Sequence, residues 1–288
     1  MRFASYCLGL AALLFLTVVP VWAADPTLAI VFAGNTYGYF DPCPTCGPEK
    51  LGGLARRASS IRQARQDAAT AGKVLAVAGA WEFTPEVSAA PPQPAKLPAV
   101  ATAQSRMGYD VAVITPDELK VLAANKATPP AGFTVLGEEP QTKILSVAGK
   151  SVGLVLFPML RDVSAPVPEK LMDVTAKAAA ALRGKVALVV GVSPWGALDE
   201  EAFINSRPGA VDVLLGSGGG SGFPARTSKD GKTLWTRAYI KGKTVNRLDL
   251  FALPGARDFT WKTEGAYKAQ VTPLDTAYPQ DQAIEALF

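Results

Sequence analysis

Cys43-Pro44-Thr45-Cys46 sets two thiols three positions apart, a spacing that suits a disulfide, thiol-disulfide exchange or a share in a metal site. Exchange needs the first thiol exposed at a helix N-terminus, where the positive end of the helix favours the thiolate. Pro48 and Gly52 come between the pair and any helix starting near Gly53, so that support is indirect. As a structural disulfide the pair closes a short ring and stabilises only modestly. Two thiolates without further ligands do not complete a tetrahedral metal site. A second constellation, Ser217-Gly218-Gly219-Gly220-Ser221-Gly222, follows an apolar run and has the composition to turn backbone N–H groups toward a phosphate or carboxylate. It lacks the Walker lysine and an evident following helix, which favours a space-filling loop. Arg56-Arg57 and Arg62 with Arg65 form a basic stripe, expected to be a solvated face. The 288 residues contain no histidine. That excludes Ser/His/Asp and Cys/His triads and ordinary c-type haem attachment. Flavin, nicotinamide and ATP fingerprints are absent too, and no cofactor is expected.

The chain around these residues has the layout of an exported protein. Met1–Ala24 carries one charge, Arg2, then the apolar run Leu8 to Val19, Pro20, and small residues around Ala23 and Ala24. This is the pattern of a cleaved signal peptide, and the run is shorter than the ~20 residues of a spanning helix. Cys7 is expected to be removed with it. What remains, 25–288, is expected to be a single domain, periplasmic or extracellular, with no membrane span. Its two cysteines are expected to be oxidised after export. Charges of both signs are interspersed, with a formal net charge of +4 for the whole chain, and no basic block points to a nucleic-acid polymer. Apolar residues make up 49% of the chain, enough for a sizeable core.

Short β-branched apolar runs at Leu28 to Ala33, Val74 to Ala78, Val111 to Ile114, Ile144 to Val147, Val152 to Phe157, Val186 to Val192 and Val211 to Leu215 are candidate buried strands. Helical segments are expected over Leu54 to Ala68, Ala99 to Met107, Glu118 to Ala124 and Pro168 to Leu182, with Gly184 as a stop. A hairpin turns at Ala148-Gly149-Lys150, and a second β-rich stretch runs from Thr233 through Tyr239 and from Thr244 to Leu253 about the turn Lys241-Gly242-Lys243. The Pro- and Ala-rich stretch Ala89 to Ala103 is expected to be a surface loop. Strand-helix alternation mixed with hairpins implies two mixed sheets packed face to face with helices outside, a four-layer α/β/β/α sandwich.

Ile30 to Gly38 and Leu51-Gly52-Gly53-Leu54-Ala55-Arg56-Arg57 resemble the opening of the 5′-nucleotidase branch of the calcineurin-like metallophosphoesterases, whose first strand ends in N-D-x-H-G and whose first helix begins G-G-L-A-R-R. Further matches follow in order at Val77 to Ala80, Met107 to Val111, Asp212 to Gly216 and Arg247 to Leu250. The resemblance implies a metallophosphoesterase-like sandwich. In the family, two metal ions held by Asp, His and Asn carry out phosphoester hydrolysis. Every position that the resemblance assigns to that site has changed here. Asn35 and Tyr37 stand for the first Asp and His, Ala80 for the bridging Asp, and Pro116-Asp117 for Asn-His. Pro194 and the pair Gly218 and Gly220 stand for the later histidines. One carboxylate and one amide do not neutralise two divalent cations. Trp81 and Trp195 adjoin two of these positions, either as plugs of the former cavity or as surfaces for a planar ligand. The expectation is a catalytically inactive relative without metal, acting by binding a small ligand or a protein. The alternatives are a thiol-disulfide redox protein using Cys43 and Cys46, or a residual metal-dependent nucleotidase.

Overall fold

The computed structural model describes residues 24–45, 47–48, 50–85, 91–162, 164–254, 259–261 and 265–288. The expected signal peptide, apart from Ala24, lies outside them, as does Cys46. In chain order the elements are β1 (Leu28–Ala33), α1 (Leu54–Gln66), β2 (Val74–Ala78), α2 (Leu97–Ser105), β3 (Val111–Ile114), α3 (Pro116–Ala124), β4 (Phe133–Val135), β5 (Gln141–Val147), β6 (Lys150–Leu156) and α4 (Glu169–Ala180). They continue with β7 (Leu188–Ser193), α5 (Ala197–Ser206), β8 (Val213–Gly216), β9 (Phe223–Thr227), β10 (Leu234–Arg237), β11 (Thr244–Leu250), β12 (Tyr267–Pro273) and α6 (Gln282–Glu285).

Two six-stranded mixed sheets result, in the orders β12-β11-β1-β2-β3-β4 and β5-β6-β7-β8-β10-β9. The period-two alternation of strand side chains assigns each residue to a layer. Leu28, Ile30 and Phe32 of β1 meet Val152, Leu154 and Leu156 of β6 in the core between the sheets. Ala29 and Val31 turn outward onto Leu54, Ala58 and Ile61 of α1. Val155 and Val189 pack under Met172 of α4 and Phe203 of α5. Strands buried on both faces carry apolar residues at nearly every position, as parallel sheets covered by helices require. The expected four-layer α/β/β/α sandwich is the fold observed.

Two local expectations are corrected. Thr233 to Tyr239 and Thr244 to Leu253 do not pair with each other: β10 lies in the second sheet, between β8 and β9, whereas β11 pairs with β1 and β12 in the first. The turn between them, with Lys241 at φ 64° and Gly242 at φ 58°, carries the chain across the sandwich. Asn246 of β11 then donates across to Thr236 Oγ1 at 2.7 Å and to the Arg237 carbonyl at 2.8 Å. The stretch Ala89 to Ala103 is not a loop throughout, because α2 begins at Leu97. Pro98 occupies the first turn of α2, where a missing N–H is tolerated, and Leu97, Val100 and Ala101 supply an apolar face for the core.

Candidate functional site

The C-terminal ends of β1, β2, β7 and β8 converge on one region, the place where ligands bind in many α/β sheets. Asn35, buried and in the left-handed conformation at φ 54°, leaves β1 and reaches across to the second sheet. Its side-chain oxygen accepts from Gly218 N at 2.8 Å, and its Nδ2 donates to the carbonyls of Gly218 and Ala238 at 3.2 and 3.3 Å. Ala80 follows β2; its N–H donates to Ser217 Oγ at 3.1 Å, and that hydroxyl donates to the Ser193 carbonyl at 2.8 Å. Tyr37 takes its place through its own N–H, which donates to the Trp81 carbonyl at 2.9 Å, and its ring packs on the core between the sheets. The Trp81 indole is 1% exposed and donates to the Pro194 carbonyl at 3.3 Å. Asn35, Tyr37, Ala80, Pro194 and Gly218 therefore share one neighbourhood, with Trp81 lodged among them.

The other positions stand apart. Asp117 is exposed on α3 and pairs with Lys120 at 2.8 Å, while Pro116 is the first residue of that helix. Both border a separate groove of about 250 Å³ beside Leu136, Met159 and Arg161. Gly220 is exposed, and Trp195 turns away from the cluster, donating to the Pro158 carbonyl at 2.6 Å among Phe157 and Phe203. Four of the seven non-glycine residues with positive φ among those described, Asn35, Tyr37, Trp81 and Lys241, lie in or beside this region. Such backbone persists only where surrounding contacts over-determine it.

These residues do not fit a pair of divalent cations. Ala80, Pro194 and Gly218 carry no side-chain donor atom, the Asn35 amide is fully engaged, and Asp117 faces solvent. Among the described residues no group of three or more His, Cys, Asp or Glu is placed to hold a metal ion.

Buried ion pairs frame the region instead. Arg57, fully buried on α1, holds Glu82 at 2.9 Å and donates to Thr36 Oγ1 at 2.6 Å and Tyr109 OH at 3.3 Å, while Gln104 adds a bond to Glu82 at 2.5 Å. Burial opposes the Arg57 charge, but Glu82 and Tyr109 outweigh it and hold the guanidinium firmly protonated. The basic stripe is therefore corrected. Arg56 and Arg57 are buried by Glu82 and by the carbonyls of Lys50 and Leu274, and only Arg62 and Arg65, paired with Asp281 and Asp110, lie toward solvent.

In the second sheet Arg237 pairs with Glu200, both side chains fully buried, and Trp235 Nε1 donates to the same carboxylate at 2.9 Å. Arg237 Nη2 also donates to the carbonyls of Gly218 and Gly219 at 2.8 and 2.7 Å. The glycine-rich loop thus directs carbonyl oxygens at a cation and spends its Ser217 and Gly218 N–H groups on Ser193 and Asn35. That is the inverse of an anion cradle. Gly216 is required beside it, since a Cβ there would come within 2.7 Å of Glu200 Cδ.

None of Arg57, Glu82, Glu200 and Arg237 stands out in the sequence as a buried charge. Glu118 had a signal, because Thr115-Pro116-Asp117-Glu118 is a capping box, and the structure forms both of its bonds at 3.1 and 3.0 Å. The second Glu118 oxygen accepts from Phe83 N at 2.9 Å. Burial raises the Glu118 carboxyl to about 7, against the pull of those N–H donors, and burial likewise raises Glu200 to about 7, with Arg237 opposing. A carboxyl raised on folding stabilises most below its unfolded value near 4.5, and that contribution is lost as pH climbs through the folded value. Unfolding free energy should therefore fall between about pH 4.5 and 7, by on the order of 1 kcal/mol or more per group. Urea midpoints across that window, compared with Glu118→Gln, measure it; a midpoint that rises with pH contradicts the assignment.

Cys43 lies in the loop after β1, its Sγ 3.7 Å from Thr45 Oγ1. No family model matches the chain, and no curated protein matches it either. Solved structures do. A 5′-nucleotidase precursor from Thermus thermophilus superposes with a TM-score of 0.63 at 17% identity over 90% of this chain and 57% of its own. The T. thermophilus sulfate thiohydrolase SoxB gives 0.63 at 17% identity over 92% and 60%. The Bacillus subtilis calcineurin-like phosphoesterase YfkN gives 0.56 at 12% identity over 90% and 95%. This chain spans about three-fifths of the length of the first two. At these identities what is shared is the fold, the two-sheet sandwich of 5′-nucleotidases and calcineurin-like phosphoesterases.

Proposed function

We propose that this chain is an exported protein that uses the phosphoesterase sandwich for binding and carries out no metal-dependent phosphoester hydrolysis. The observation that carries this reading is the Trp81 indole buried among Asn35, Ala80 and Pro194, at the strand ends where the sequence resemblance assigns the metal ligands. Filling by an aromatic ring and an engaged amide leaves nothing there to ligate a cation. Export is supported by the signal-peptide pattern of Met1–Ala24, and among the described residues no helix is long and apolar enough to cross a membrane. The test is incubation with Mn²⁺, Zn²⁺ or Mg²⁺ followed by metal analysis, thermal melting and assays on AMP and p-nitrophenyl phosphate. The expected result is no bound metal, no rise in Tm and turnover at the buffer blank. A site loaded at 100 times its Kd would stabilise by about 2.7 kcal/mol and be plain in the melt. Hydrolysis that EDTA abolishes overturns the reading.

A second reading, thiol-disulfide exchange, is favoured by one observation: Cys43 is disulfide-bonded and lies half-buried in the wall of an open groove. Equilibration with dithiol buffers tests it. A potential near or above roughly −200 mV supports exchange, and one below about −300 mV marks a structural bond.

A further inference from the structure

The four sheet edges are not alike. On one side of the sandwich β12 and β9 lie beside each other; Pro273 ends β12, and β9 carries Pro224 and an irregular register with β10. On the other side β4 has three residues, and Gln141 Nε2 donates to its Val135 carbonyl at 2.9 Å. β5 has none of these devices. Its seven residues include no proline or glycine, and its register with β6 runs unbroken from Gln141 opposite Leu156 to Val147 opposite Lys150. Such an edge is a template for another strand, which proteins otherwise blunt with prolines, bulges or short strands.

The hairpin fixes which groups of β5 are free. Ala148 and Gly149, at φ 52° and 69°, form a two-residue turn, which is closed by a hydrogen-bonded pair, here Val147 and Lys150. Alternation then bonds Gln141, Lys143, Leu145 and Val147 to β6 and turns the N–H and C=O of Thr142, Ile144 and Ser146 outward. Ser151, opposite Ser146, agrees, since its carbonyl accepts from Ala187 N on the far side of β6 at 2.8 Å. Leu145 packs on the core between the sheets, whereas Ile144 stands on the other face, 49% exposed and opposite Gly153.

We propose that β5 pairs with β5 of a second copy of this chain, antiparallel, about a two-fold axis at Ile144. That register is self-complementary. Ile144 meets Ile144 and Thr142 meets Ser146, the residues whose backbone groups point outward, so the strands exchange about six N–H···O=C bonds. Thr–Ser and β-branched pairs are favourable across strands, and Lys143 meets Leu145, so no like charges stand opposite each other. The ends match in charge. Reversal of the second copy brings its exposed Glu138 and Glu139 alongside the hairpin tip that bears Lys150, and neither Glu139 nor Lys150 has an ion-pair partner of its own among the described residues. The second sheets of the two copies become continuous with their strand ends pointing in opposite directions, which leaves both candidate sites open.

Pairing over one edge is a small interface, so a dissociation constant of about 10 µM is expected. Sedimentation velocity on the purified mature protein should show monomer at about 1 µM and mostly dimer at about 100 µM. Ile144→Pro should weaken the dimer at least about tenfold, because it removes an outward N–H and leaves the bonds to β6 in place. Lys150→Glu should weaken it about threefold, and adding Glu139→Lys should restore it. With oxidised glutathione, Ile144→Cys should cross-link into a covalent dimer, since the opposed Cα atoms lie about 5.5 Å apart. Thr142→Cys should not, because the two copies of that residue stand about 14 Å apart in this register. A protein that stays monomeric at about 100 µM, a dimer that Ile144→Pro leaves intact, or cross-linking of Thr142→Cys as fast as of Ile144→Cys overturns the proposal.

Discussion

Arg237→Met should destabilise this protein by about 3–5 kcal/mol, the effect of removing one partner from a buried ion pair and leaving the other charge uncompensated. Arg237 and Glu200 are both fully buried, and the guanidinium also holds the carbonyls of Gly218 and Gly219. Domains of this kind have roughly 5–15 kcal/mol in all, so the variant would lose a large share and melt about 10 °C lower. Urea unfolding at pH 8 is the measurement. Arg237→Met combined with Glu200→Leu should recover part of the loss, because an apolar pair removes the stranded charge. A change under about 1 kcal/mol for the single variant would mean that the glycine-rich loop is held by Asn35 and Ser217 alone.

Trp81 allows a test in which two substitutions rank opposite to the usual order. Truncating a buried aromatic side chain removes about 3–5 kcal/mol, and both Trp81→Ala and Trp81→Gly should suffer it. Yet Trp81 sits at φ 68°, where alanine keeps the backbone strain and glycine relieves about 1 kcal/mol of it. The glycine variant should be the more stable of the two by denaturant midpoint, although glycine ordinarily ranks below alanine. Added indole should raise the Tm of both by refilling the space. Alanine equal to or better than glycine would show that the strand end relaxes freely and that Trp81 is a passive plug.

The strands that form the centres of both sheets were legible because burial on two faces leaves an unbroken apolar run, as in Leu28–Ala33 and Val74–Ala78. Edge strands such as β9, Phe223–Thr227, and β12, Tyr267–Pro273, mix half-exposed polar and apolar residues and give no such run. The partition of β10 and β11 between sheets depends on pairings with β8 and β1 that no local window contains. At the candidate site the residue types at Asn35, Tyr37 and Ala80 were readable, and their convergence was implied only by the family resemblance. The buried role of Arg57 was hidden because an arginine stripe has the same pattern whether it meets water or Glu82. The left-handed backbone of Trp81 has no sequence signal, since glycine is the residue that announces such a conformation.

Placement of β1 also constrains when the chain can fold. This strand lies inside its sheet with β2 on one side and β11 on the other, Leu28 opposite Leu250 and Thr27 N bonded to the Leu250 carbonyl at 2.8 Å. A ribosome must therefore add more than 200 residues after β1 before its antiparallel neighbour exists. Contacts so distant in sequence slow folding and leave an apolar strand edge exposed in the meantime. Under the export proposed above, that delay would keep β1 free to thread through a membrane until translocation was nearly complete.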